Sequence, residues 1–185
     1  MEKDDKQYRV VGTVSKLVNG ENEKKITLER YILAAYLDDI LHAANKRFLK
    51  MTNDRYRLLR KTELGDKRVG QGLDLQVFDG YSNKERDITS LSGGEGFKAS
   101  LSMALGLSDV VQETAGGIQL DTMFIDEGFG TLDDESLESA IDVLSELQGG
   151  GRIVGVISHV NELKERIQKK IVVNGDKDGS TAKFL

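Results

Sequence analysis

Residues Met123–Asp133, MFIDEGFGTLD, constrain this chain more than any other stretch. Met123, Phe124 and Ile125 form a short apolar run, the pattern expected of a strand buried on both faces. Asp126 and Glu127 follow directly. A buried strand cannot carry charge along its length, so the two carboxylates are expected where the strand emerges. In open α/β sheets that end of a strand is where ligands bind. One carboxylate there suits a magnesium ion, and the next suits a water that must be oriented or deprotonated. Gly128 and Gly130 allow a sharp turn, and Asp133 follows on the loop. An acidic strand-to-helix turn without chemistry has the same local pattern, so the rest of the chain must decide.

The chain has 185 residues, a length suited to one domain. No apolar run approaches the ~20 residues of a membrane helix, and no signal-peptide pattern follows Met1. Cysteine is absent, which excludes disulfides and thiolate metal sites and fits a reducing, cytoplasmic setting. Proline is absent too, so the turns must be built on glycine. The net charge of −5 is unevenly spread. Lys46–Arg68 holds nine Lys and Arg against three acids, whereas Glu85–Glu146 holds fourteen acids against two bases. The acidic total argues against a free-standing nucleic-acid binder, while the basic stretch leaves room for a local contact with a phosphate backbone. Long helices also carry Lys and Arg on a solvated face.

Residues 1–24 are polar and weakly patterned and read as a linker, a frayed helix end or a terminal segment. Residues 25–51 form a long helix: Leu28, Ile32, Ala35, Leu37, Leu41, Ala44 and Phe48 recur mostly at steps of three and four. Tyr56–Leu59 and the alternation Leu73, Leu75, Val77 predict two strands, and Asp79-Gly80 predicts a turn. A polar segment reaches Leu91. Ser92-Gly93-Gly94-Glu95 reads as a capping box, in which Ser and Glu satisfy each other's backbone amides. Two glycines in a first helical turn cost about 1 kcal/mol each against Ala, so something is expected to approach that backbone closely. A helix start also favours anions such as phosphate. The helix continues to about Thr114. After the Met123 strand, Asp134–Leu147 predicts a helix and Ile153–Ile157 a strand that ends in Ser158-His159. Gly149-Gly150-Gly151 is no phosphate cradle, because it leads from a helix into a strand. Asn161 is expected to cap a short helix, and strands at Lys170–Val173 and Thr181–Leu185 close the chain.

A glycine-rich helix start, a strand ending in Asp-Glu, a Gly-Asp loop, a helix and a strand ending in His thus occur in order within 70 residues. Together they resemble the C-terminal half of an ABC-type ATPase. Leu91-Ser92-Gly93-Gly94-Glu95 looks like that family's signature motif, Met123–Glu127 its Walker B strand, Thr131-Leu132-Asp133 its D-loop, and His159 its switch histidine. Transporter members usually have proline after Asp-Glu, where Gly128 stands here. The runs DEGFGTLDDESL and GVISHVNELKERI, with ERYILAAYLDDILHAANKRFLKM before them, are similar to SbcC-type ATPases, which work with a nuclease in DNA double-strand-break repair.

The resemblance implies an α/β fold: a C-terminal head lobe over 52–185, with a mixed, mostly parallel sheet, flanking helices and, over 25–51, a long helix from the coiled-coil base. It implies ATP and Mg2+ as cofactors. Asp126 would position the metal, Glu127 would polarise the attacking water, and His159 would sense the γ-phosphate. Leu91, Ser92, Gly93, Gly94 and Glu95 would meet ATP held by a second subunit, and Asp133 would cross the dimer interface. The implied partners are a P-loop lobe, a second head, an SbcD-type metallophosphoesterase nuclease and double-stranded DNA, with no membrane. No G-x-x-x-x-G-K-[ST] occurs in the chain, so on its own it is expected to be inactive. The rival from another class is a chromosome-condensation head, in which nucleotide gates ring closure and no nuclease takes part.

Overall fold

The computed structural model describes residues 2–23, 25–61, 72–114, 116, 120–149, 151–177 and 179–185. Helix α1 spans Glu2–Val18 and α2 spans Leu28–Met51. Thr27 starts α2, its hydroxyl accepting from Arg30 N at 3.2 Å. The second half of α2 buries Leu41, Ala44, Phe48 and Met51, whereas Tyr31, Ile32, Leu33 and Tyr36 in its first half are exposed. Strands β1 (Tyr56–Arg60), β2 (Leu75–Asp79) and β3 (Lys84–Asp87) form an antiparallel sheet. Asn45 fastens that sheet to α2: its amide group donates to Leu58 O at 2.8 Å and its carbonyl accepts from Leu58 N at 2.8 Å.

Helix α3 (Gly93–Thr114) divides the interior. On one side Ala99 joins Leu41, Ala44, Phe48, Tyr56, Leu58 and Val77 in a core against α2 and the antiparallel sheet. On the other, Leu101 and Leu105 meet Phe129 and the apolar stripe of α4 (Asp134–Gly149). Gly106 lets α3 touch α2 backbone to backbone: a methyl there would lie 2.7 Å from Ile40 O and 2.8 Å from Ala44 N. Strand β4 (Thr122–Asp126) pairs in parallel with β5 (Ile153–Ile157), Met123 opposite Val154 and Asp126 opposite Ile157. Helix α5 (Asn161–Arg166) and the hairpin of β6 (Ile171–Asp176) and β7 (Gly179–Phe184) complete the chain. The fold is α/β, as expected, but in place of one mixed, mostly parallel sheet the described residues form two antiparallel sheets and one parallel pair, because only β4 and β5 are joined by a helical crossover.

Four local expectations are corrected or narrowed. The polar segment 1–24 is mostly the helix α1, whose stripe Val10, Val11, Val14, Leu17 and Val18 has helical spacing but stays exposed, so composition hid it. The Met123 strand is not buried on both faces. Met123 and Ile125 pack toward α4, but Phe124 is 71% exposed and shares the open face of the pair with Ile153 and Ile157. The polar segment before Leu91 contains β3, held by its pairing with β2 and not by any apolar pattern. Asn161 is the first residue of α5, and Val160 is its cap. Gly65 and Gly70, expected to punctuate the β1–β2 connection, lie outside the described residues.

Candidate functional site

The register of the parallel pair builds the site. Asp126 stands opposite Ile157, so the residues that follow each strand leave the sheet at one edge. Glu127 N donates to Ile157 O at 2.9 Å, extending the pairing by one step. The chain then turns: Glu127 has φ +61 and Gly128 φ +96. A left-handed conformation costs a non-glycine residue about 1–2 kcal/mol, and such outliers cluster at functional sites. The turn is held from below. Phe129 is fully buried and meets the Phe97 ring edge-on at 4.9 Å. A methyl at Gly128 would fall 2.3 Å from that Phe97 ring. Glycine is therefore needed here for both its φ and its size.

This turn brings Glu127 to His159. His159 Nδ1 lies 3.0 Å from Glu127 Oε2, with both side chains largely exposed. An ionised carboxylate only accepts, so this bond calls for the ring proton on Nδ1. Asp126 is exposed on the open face of the pair, and its carboxylate makes no hydrogen bond or ion pair among the described residues. No group of three or more His, Asp or Glu able to hold a metal stands together among the described residues. A single carboxylate is nevertheless a usual protein share for magnesium, which takes its other ligands from phosphate and water.

The second cluster is the start of α3. Ser92 N donates to Glu95 Oε2 at 2.9 Å and Glu95 N to Ser92 Oγ at 3.3 Å, a reciprocal capping box. The close approach expected at Gly93 and Gly94 is made by the loop after Glu127. A methyl on Gly94 would lie 3.3 Å from Thr131 O, and one on Gly93 would lie 3.8 Å from Thr131 Cβ. Asp133 caps α4, accepting from Ser136 N at 2.8 Å. Its carboxyl lies below the ordinary range because Ser136 hydrogen bonds favour the charged form. Lys98, nine-tenths buried, donates to Ser136 Oγ at 3.0 Å and ties α3 to α4 beside Asp133.

The structure thus joins Glu127 to His159, and Ser92–Glu95 to the Thr131–Asp133 loop. Leu91 precedes the second cluster and packs against the α2 core. Sequence reasoning missed Phe129, although an aromatic between two glycines is a visible signal for a loop plugged into a core. Four of the nine Lys and Arg of the basic stretch are paired within the chain. Arg47 pairs with Asp109 at 2.7 Å, Arg55 with Asp79 at 3.4 Å and Arg60 with Asp38 at 2.7 Å, and Lys50 pairs with Glu146. Lys67 and Arg68 lie outside the described residues.

Residues 63–146 match the family model described as SbcC/RAD50-like, Walker B motif. The SbcC subunit of the nuclease SbcCD from Vibrio cholerae is 54% identical over 97% of this chain, and the chain spans 18% of that protein. The corresponding protein of Staphylococcus haemolyticus is 50% identical over 100% of the chain, again spanning 18% of the longer protein. A solved Smc head domain with coiled coil and joint from Pyrococcus yayanosii superposes with a TM-score of 0.65. That superposition covers 100% of this chain and 33% of the other at 17% identity, and so speaks for the fold alone. Over the length it spans, the chain is similar to SbcC subunits, and the SbcC/RAD50-like Walker B model matches its middle part.

Proposed function

We propose that this chain is the C-terminal lobe of an SbcC-type ATPase head, in which ATP-driven pairing of two heads controls a partner nuclease acting on DNA ends. The observation that carries this reading is the Glu127–His159 pair, 3.0 Å apart at the shared edge of β4 and β5, beside the unpaired carboxylate Asp126. Bound Mg-ATP would supply the scissile phosphoanhydride and a metal that neutralises phosphate charge. Asp126 would hold that metal, directly or through water. Glu127, fixed by its backbone bond to Ile157, would accept the proton of the attacking water. His159 would orient the Glu127 carboxylate through Nδ1–H and, with both ring nitrogens protonated, would donate from Nε2 to a phosphate oxygen. Ser92 and the amides of Gly93 and Gly94 would face the γ-phosphate of ATP bound by the other head, a use of a helix start that suits an anion. Asp133 would reach across the same interface.

The open face carrying Phe124, Ile153 and Ile157 would be covered by the P-loop lobe, which supplies most of the phosphate contacts. An SbcD-type metallophosphoesterase and double-stranded DNA would be the further partners. With Arg47, Lys50, Arg55 and Arg60 paired internally, DNA contact within the described part of the basic stretch would fall to Lys46, Arg57 and Lys61.

The test is Ser92→Arg in a head assembled from this lobe and its P-loop lobe. Ser92 is exposed and a long cation there disturbs no core, so the fold should stand. The side chain would occupy the space the γ-phosphate needs, and ATP-dependent dimerisation followed by light scattering should disappear. Dimerisation at the wild-type level would remove Ser92 from the interface and with it the composite site.

A further inference from the structure

Tyr56 opens β1 just past the end of α2, 2% exposed, with its ring packed in the core between α2 and the antiparallel sheet. Its position is fixed at both ends. Its backbone N donates to Thr52 Oγ1 at 3.3 Å, and that hydroxyl donates to Phe48 O at 2.7 Å, tying it to the last turn of α2. Its phenol donates to Glu95 Oε1 at 2.8 Å. The other oxygen of the same carboxylate accepts from Ser92 N at 2.9 Å. A capping box needs no such third partner: its two residues satisfy each other unaided. Here the glutamate is clamped from the far side by a residue 39 positions earlier in the chain.

The clamp has a second jaw. The Arg55 guanidinium stands 3.9 Å from Glu95 and 3.4 Å from Asp79, and lies 4.5 Å and 4.7 Å from the ring centres of Tyr56 and Tyr81. Burial opposes ionisation of Glu95, but bonds from Ser92 and Tyr56 and the charge of Arg55 outweigh it, so its pKa is lowered. Burial first, then the neighbouring Glu95 carboxylate, pushes the Tyr56 phenol up to about 12. At neutral pH the proton therefore stays on Tyr56 and the donor role is fixed.

We propose that Tyr56 is a positioning residue for the signature motif, holding Glu95 so that Ser92 and the amides behind it are preset for an anion from the second subunit. This role rests on the proposed function. Tyr56 touches no nucleotide itself; it acts through Glu95.

The test is Tyr56→Phe in the assembled head. The phenyl ring keeps the packing against Phe48 and removes only the hydroxyl, so the fold should be kept. The ATP concentration for half-maximal dimerisation should rise about tenfold, the scale of one hydrogen bond to a charged group. Turnover at saturating ATP should hold, because the lost interaction serves binding. Amide exchange at Ser92 should quicken, and Tm should stay near that of the wild type. Unchanged ATP dependence with unchanged exchange at Ser92 would overturn the positioning role. A fall in Tm and turnover together would make Tyr56 merely structural and overturn it as well. A wild-type head that does not dimerise on ATP would instead overturn the proposed function on which the role rests.

Discussion

Replacing Glu127 by glutamine in the assembled head is expected to leave ATP-dependent dimerisation intact and to slow hydrolysis by about 10²–10⁴, the range for a lost general base. The amide matches the carboxylate in shape, so the bond to His159 can persist and the turn at φ +61 is undisturbed. What is lost is the capacity to take a proton. Dimers should consequently accumulate and persist, because the step that dissolves them has been slowed. Single-turnover kinetics with ATP and magnesium would measure the chemical step apart from product release. A wild-type rate in the variant would assign the base to another group and reduce Glu127 to an exposed partner of His159.

The largest effect on stability is expected from Gly106→Ala. The added methyl would meet Ile40 O at 2.7 Å and Ala44 N at 2.8 Å, both backbone atoms of α2. A flexible side chain could swing away from such a contact; a helix backbone cannot. The two helices must therefore separate where Ala44 and Phe48 are fully buried, which loosens the core between α2 and α3. Overpacking of this kind costs about 1–3 kcal/mol, and the rigidity of both partners favours the upper end. In a chain of this size the melting temperature should fall by roughly 5–10 °C. Gly96→Ala is the matched control: nothing stands within 4 Å of its added methyl, and the helix propensity of alanine should leave stability unchanged or higher. Thermal melts followed by circular dichroism would compare the two. Equal melting temperatures would mean that α2 and α3 yield without cost where they cross.

The elements around the site are legible in the sequence because each carries a local signal. The apolar run Met123–Ile125 and the run Ile153–Ile157 mark β4 and β5, and the Ser92–Glu95 box marks the start of α3 to within a residue. Their parallel pairing and shared polar edge follow from short strands separated by a helix. The features that escape depend on partners distant in sequence. The strand β3, LysGluArgAsp, has no apolar residue and exists by its ladder to β2. Exposure of Phe124 reflects which face of the pair the helices cover, and alternation in a three-residue apolar run cannot express that. The glycines of the signature motif read as room for a ligand, yet Gly94 is first of all room for Thr131 O. Tyr56 and Glu95 are 39 residues apart, and no spacing rule connects a strand start to a helix cap.

Under the proposed function, the chain carries the hydrolytic and signature elements of an ATP site but not the elements that bind the nucleotide. Asp126, Glu127 and Asp133 all repel a triphosphate at close range. The start of α3 offers an anion at most about 2 kcal/mol, whereas even a millimolar complex needs about 4 kcal/mol. Calorimetric titration of Mg-ATP into this chain, alone and mixed with its P-loop lobe, tests that division of labour most directly. The chain alone should bind no tighter than about millimolar and release no phosphate, and the mixture should bind ATP. Micromolar binding by the chain alone would contradict it, since such affinity would require a phosphate site among residues other than Asp126, Glu127, Asp133 and the Ser92 helix start.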